Sequence, residues 1–259
     1  MRVPLVTATV ERRLLVNYRV EPEVVARLLP EPFVPVTVDG WAVAGICLIR
    51  LGGLRPSAAP GLVGFTSENA AHRIAVEWET DQGVARGVFI PRRDTSSRLT
   101  TLAGGRLFPG VHQRASFRVG EAGGRYEVAM ASPDGTMNLR VAAALADDLP
   151  RGSVFGSLGA ASEFFRKGSL GWSVTRRPGV YDGVELRAPG WRIEPARAEA
   201  VASSFFDDPR RFPPGTALLD SALLMRDLAS EWYGRGRLEA PAGGATRPAR
   251  TPSTRIGER

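Results

Sequence analysis

The sequence predicts a mainly β fold of the α+β class: an antiparallel sheet or partly closed barrel decorated with a few short helices. Three observations carry this. Apolar runs of strand length recur at close spacing, turn sequences such as Asp39-Gly40, Gly123-Gly124 and Pro133-Asp134-Gly135 separate them, and the helix-capped segments are short. A chain of 259 residues, 43% apolar and 24% charged, buries a substantial core, and β domains of this length often stay undivided.

Residues 10–18 read as a strand. Glu21-Pro22-Glu23 opens a short helix, since proline suits the first helical position and acids there suit the dipole. Val24, Val25, Leu28 and Leu29 form its apolar face, and Pro30 ends it. Residues 34–38, Asp39-Gly40 and residues 41–51 make a hairpin, followed by a loop over 52–61. Residues 65–80 and 84–91 make a second hairpin around Asp81-Gln82-Gly83. Asp94-Thr95-Ser96-Ser97 caps a short helix through Leu99 and Leu102, ending at Gly104-Gly105. Strands follow at 111–119, 125–131 and 136–145. Residues 157–167 read as a helix capped by Ser157 and stopped by Gly168, with Arg166 and Lys167 complementing its C-terminal dipole. Residues 170–175, 184–187 and 191–201 are strands. Residues 218–232 are ambiguous: Leu219, Ala222, Leu223 and Arg226 fit helical spacing, yet the first half suits a strand. After Tyr233 large apolar residues almost vanish, so the expected division is a domain over 1–233 and a disordered Arg/Pro/Gly-rich tail over 234–259.

Several function classes are excluded or weakened. No run reaches the ~20 apolar residues of a membrane helix, and Met1-Arg2-Val3-Pro4 begins no secretory signal. The single cysteine, Cys47, lies in an apolar run and reads as a buried, inert thiol in a reducing compartment, so the cytoplasm is the expected address. The net charge of +7 falls largely on the tail, where six arginines meet two glutamates, leaving +3 for the rest. No basic cluster with interleaved aromatics appears in the body, so no nucleic-acid partner is expected. Two histidines and one cysteine build no zinc pattern, so no metal and no cofactor are expected. Gly104-Gly105 lacks a phosphate-loop setting, and Gly156-Ser157-Leu158-Gly159 lacks the spacing of a nucleophile elbow.

Polar groups gather in one region. Glu68, His72, Arg73, Arg98, Arg106 and His112 lie on or beside strands expected to be neighbours. Positions 68 and 72 are an even number apart and share a strand face. A carboxylate, an imidazole and arginines on one face are costly to bury unless they satisfy each other or a ligand; the alternative is a solvated or structural ion-pair network. Trp41, Trp78, Trp172 and Trp191 read as core, and Arg92-Arg93 and Arg176-Arg177 as solvated residues flanking turns.

The order of a Glu-bearing strand, a hairpin with Gly87-Val88-Phe89, and then Gly105-Arg106-Leu107-Phe108-Pro109 resembles the acetoacetate decarboxylase-like superfamily. With Leu28-Leu29-Pro30 and Asp39-Gly40 in the same order, it is most similar to an uncharacterised branch, a domain of unknown function, over about residues 10–230. The resemblance implies a cone or barrel-like α+β fold with a central small-molecule pocket, lined by Glu68 and Arg106. In the decarboxylase the segment similar to 105–111 continues from proline into a lysine pair, one member of which forms a Schiff base with the keto acid. Here Gly110 and Val111 follow Pro109, so decarboxylation by that route is not expected. Lys167, the only lysine, reads as a helix end. The expected function is acid–base chemistry of lyase or hydrolase type on a carbonyl-containing organic acid. Glu68 would be general acid or base, His72 or His112 its proton-transfer partner, and Arg73, Arg98 and Arg106 anchors for a carboxylate or enolate. The alternative is a binding protein that holds such a molecule unchanged. Homo-oligomerisation is left open.

Overall fold

The computed structural model describes residues 5–59, 64–102 and 109–240. β1 (Val6–Val20) outruns the expected strand at both ends, because its buried positions continue past them. α1 (Pro22–Leu28) begins at Pro22, with Glu23 in its first turn. Two short strands, β2 (Val34–Pro35) and β3 (Thr37–Val38), precede β4 (Trp41–Pro56). The turn between β3 and β4 places Asp39 and Gly40 at φ of 49° and 78°, the left-handed pair that such a sequence tolerates. β5 (Phe65–Thr80) and β6 (Gly83–Thr95) form the second hairpin. The Ser97 hydroxyl then caps α2 (Arg98–Leu102) by accepting from the Thr100 amide at 3.1 Å.

Next come β7 (Gln113–Arg114), β8 (Ser116–Ala122), β9 (Arg125–Ala131) and β10 (Asn138–Leu145). α3 (Leu158–Lys167) has the expected cap, Ser157 accepting from the Ala160 amide. β11 (Leu170–Val174), β12 (Val180–Arg187), β13 (Glu194–Ser203) and β14 (Ala217–Glu239) complete the order. The ambiguous stretch is therefore strand. It also runs six residues past Tyr233, because Arg235 and Arg237 pair with Glu185 and Asp182 on β12. The rest of the expected tail, from residue 241, lies outside the described residues.

Seven strands form a ring in the order β1-β4-β5-β6-β11-β12-β14, and β14 pairs back onto β1. The ring is antiparallel except where β6 meets β11. The other edge of β14 pairs with β13 in its first half and β12 in its second, so a second sheet, β13-β10-β9-β8, branches off the ring.

Alternation along the ring strands makes two cores. Leu15, Val43, Cys47, Leu223 and Met225 point inward, where α3 contributes Ala161 and Phe165. Leu14, Val16, Ile46, Leu48 and Ile74 point outward and meet Val128, Met130, Leu139 and Val141 of the second sheet, with Phe205 and Phe206. Each such side chain stabilises by roughly 1.5–3 kcal/mol when fully buried. An ion cluster staples the two layers. Arg12, 1% exposed on β1, donates to Glu68 on β5 and to Glu121 on β8.

Candidate functional site

The inward positions of neighbouring strands line up in rungs. Leu15, Cys47, Ala71 and Arg93 pair in turn across β1, β4, β5 and β6. Two residues along one way lie Asn17, Gly45 and Arg73; two along the other way lie Arg13, Ile49 and Asn69. The middle members Gly45 and Ala71 are small, so space opens between the large polar residues around them. A side chain at position 45 is barred, since its Cβ would stand 2.4 Å from the Val16 carbonyl oxygen. Across Gly45, Arg73 Nη2 donates to Asn17 Oδ1 at 2.5 Å, and Asn17 Nδ2 donates to Ser221 at 3.2 Å.

The space these rungs enclose is a cavity of about 80 Å³ inside the ring. Arg13, Cys47, Arg73, Arg93, His112 and Phe165 are on its wall. At about 10–15 Å³ per water-sized position, it holds roughly five to eight non-hydrogen atoms.

Its electrostatics are lopsided. Arg73 is 4% exposed, lies 4.7 Å over the Phe165 ring, and has neither Nε nor Nη1 partnered. Arg93 Nε donates to Ser173 at 2.8 Å. Arg13 Nε donates to the Cys47 sulfur at 3.4 Å, and its guanidinium lies over Trp191. Among the described residues, none of these three arginines forms an ion pair with a carboxylate. Asp94 also borders the cavity but is clamped by Arg92, which donates to both its oxygens. Burial lowers Arg73 to about 10, with Arg13 adding to the effect and Cys47 opposing it. Burial also brings Arg93 to about 10, so both remain cationic at neutral pH. Charges taken out of water without a counter-charge cost several kcal/mol each; an anionic ligand would offset that cost.

His112 is the cavity's imidazole. Burial first, then Arg93, lowers it to about 3 against the opposing bond to Gly110, so the ring is neutral. With Nδ1–H donated to the Gly110 carbonyl at 3.3 Å, Nε2 keeps its lone pair.

The expected convergence of six residues divides by strand face. His112 and Arg73 meet at the cavity. Glu68 and His72 share a face as expected, but it is the outer one. Glu68 is bound to Arg12, and His72 is fully buried against Phe205, 3.4 Å from Ser203 Oγ. Burial, then Arg92 and Arg211, lowers His72 to about 3. Arg98 is exposed at the start of α2, and Arg106 lies outside the described residues. Lys167 is 68% exposed beside Glu163, away from the cavity.

Arg92-Arg93 is not a solvated pair. The bulge where β6 passes His72–Ile74 brings Arg92 to buried Asp94 and Arg93 to the cavity. Sequence reasoning missed Arg13, Asn17 and Arg93. For Arg13 and Asn17 the available signal was that both are polar and share one face of the single predicted strand 10–18; Arg93 lay beyond the predicted strand 84–91 and carried no such signal. Trp78 and Trp172 are core and meet edge to face, whereas Trp191 lies outside any strand and donates to Ser162.

Among the described residues no three His, Cys, Asp or Glu side chains gather to hold a metal. No helix there is long and apolar enough to cross a membrane.

Residues 7–214 match the model of DUF2071, an uncharacterized conserved protein. The chain belongs to that family. No curated protein matches it in sequence. Among solved structures it is similar to an acetoacetate decarboxylase-like enzyme from Sphingomonas wittichii RW1, with 14% identity and a TM-score of 0.56, covering 92% of this chain and 94% of that one. The enduracididine biosynthesis enzyme MppR, complexed with pyruvate, gives 14% and 0.56 over 92% and 91%. An acetoacetate decarboxylase from Legionella pneumophila subsp. pneumophila str. Philadelphia 1 gives 12% and 0.56 over 90% and 87%. This DUF2071 chain has the acetoacetate decarboxylase-like fold.

The amine of the namesake chemistry finds no room at position 110. Gly110 has φ of 92°, and a Cβ there would lie 2.5 Å from Ser173 Cβ.

Proposed function

We propose that the ring interior takes a carbonyl-containing organic acid of three or four carbons and that the chain acts on it by proton transfer, without an amine nucleophile. The observation that carries this is three guanidiniums on one small cavity with, among the described residues, no carboxylate paired to them. Arg73 presents two unpartnered nitrogens to a carboxylate, and Arg93 approaches from the neighbouring strand. Cations around a developing enolate lower the cost of removing a proton beside the carbonyl. His112 Nε2 is the base of this scheme, and its affinity for a proton rises once a bound anion offsets Arg93. The volume limits the ligand to roughly five to eight non-hydrogen atoms, the size of pyruvate, 2-oxobutyrate or acetoacetate.

The test is calorimetric titration with these acids and with their amides, followed by exchange of α-protons into deuterated water watched by NMR. Binding of the acids but not the amides, with exchange lost in His112→Gln, is the expected result. Equal binding of acid and amide would remove the carboxylate from the scheme. A second reading, binding without turnover, is favoured by the low proton affinity of His112 in the empty cavity; it predicts binding with no exchange.

A further inference from the structure

The side chain nearest to a nucleophile inside the ring is Cys47. It is 8% exposed, on the wall of the cavity, and accepts from Arg13 Nε at 3.4 Å. Its rung continues through Ala71 to Arg93. Strands lie about 4.8 Å apart, so the Cys47 and Arg93 backbones stand roughly 10 Å apart with only a methyl group between them. Arg73, two residues along β5 on the same face, also lines the cavity and keeps two buried nitrogens without a hydrogen-bond partner.

We propose that Cys47 is the covalent anchor of the site: its thiol adds reversibly to the ketone carbon of a 2-oxo acid whose carboxylate is held by Arg73 and Arg93. The step rests on the reading of the cavity as an oxo-acid site. A C–S bond forms, the carbonyl π bond breaks, and the thiol proton moves to the former carbonyl oxygen, giving a hemithioketal. No oxidant, leaving group or co-reactant is needed. The carbonyl and carboxylate carbons of a 2-oxo acid are adjacent, so a molecule lying over Ala71 offers its carboxylate to the arginines and its ketone carbon to the sulfur. Arg13, already bonded to that sulfur, is placed to take the new oxygen as a hydrogen-bond acceptor. The same positive surroundings favour an anionic electrophile over a neutral one of equal size.

The chain has one cysteine, which makes the test clean. The full chain is prepared with [3-13C]cysteine and titrated with [2-13C]pyruvate. The expected result is a ligand carbon moved from the ketone region to that of a tetrahedral carbon bearing sulfur and oxygen, distinct from free pyruvate hydrate. The single cysteine Cβ signal moves with it, and both changes are lost in Cys47→Ala and Cys47→Ser. Iodoacetate should also alkylate Cys47 faster than iodoacetamide, with pyruvate protecting. If calorimetry shows pyruvate bound while its carbon stays a ketone, the covalent step is overturned and the oxo-acid site stands. If pyruvate does not bind, both fall.

Discussion

Replacing Arg73 by methionine separates a binding role from a structural one, because the two predict opposite changes. The substitution removes a charge-assisted bond to Asn17, worth about 1.5–3 kcal/mol, and a cation–π contact with Phe165, worth up to about 2 kcal/mol when desolvated. Against this, it removes a buried cation with no counter-carboxylate and two unpartnered nitrogens. Exchanging buried ionic groups for apolar ones of similar volume is often neutral or stabilising, by about 1–4 kcal/mol. The terms nearly cancel, so stability should stay within about 2 kcal/mol of wild type. Affinity for a carboxylate has no such offset. Losing a buried partner of a charged group costs about 2–5 kcal/mol, or roughly 30- to 5,000-fold in Kd. Urea denaturation gives the first quantity and calorimetry with pyruvate the second. A loss of stability beyond about 4 kcal/mol with affinity unchanged would show that Arg73 is a structural residue, and the reasoning would be refuted.

Glu68→Gln breaks the Arg12 cluster on the far side of β5 and should cost about 1–3 kcal/mol of stability while leaving pyruvate affinity within twofold; a tenfold change in Kd would return Glu68 to the site. His72 and His112 are both held near 3 in the folded chain, against about 6.5 unfolded, so unfolding takes up protons between those values. Stability is therefore full above about pH 6.5 and falls as pH drops toward 3, by up to ~1.4 kcal/mol per pH unit for His72. Denaturation at pH 7 and pH 5 checks this, and His72→Gln should flatten the decline; an equally steep decline would contradict the assignment. Gly110→Ala forces a Cβ against Ser173 at positive φ and should lower stability by about 1–3 kcal/mol, read as a lower Tm; an unchanged Tm would mean the loop shifts freely.

Much of the fold was legible because turn chemistry is local. Asp39-Gly40, Gly123-Gly124 and the Ser157 cap each announce themselves within a few residues, and the elements they bound appear where expected. Residues 217–239 were harder, since Leu219, Ala222 and Leu223 satisfy both periods, and the pairing with β1 that decides the matter is more than 200 residues distant. The site was half legible for a different reason. Parity told which residues of β5 share a face, and Glu68 and His72 do. It carries no information about which face encloses a ligand and which meets another sheet, because both are buried here. Arg73, one residue from His72, falls on the side with the cavity. Finding Arg13 and Arg93 required the register of three strands, and Pro91, which sits in the β6 bulge that turns Arg93 inward, reads in the sequence equally well as the end of the strand.

The pairing of β1 with β14 also has a consequence for synthesis. Residues 6–20 leave the ribosome first among the ring strands, yet one of their edges waits for residues 217–232. Until then β1 shows an unsatisfied row of amides and carbonyls beside an apolar face, the arrangement most open to mispairing with another chain. The cavity has no closed wall in that interval. A nascent chain stalled before Ala217 should be aggregation-prone and unable to retain an organic acid, which makes ligand retention a report on completion of the ring.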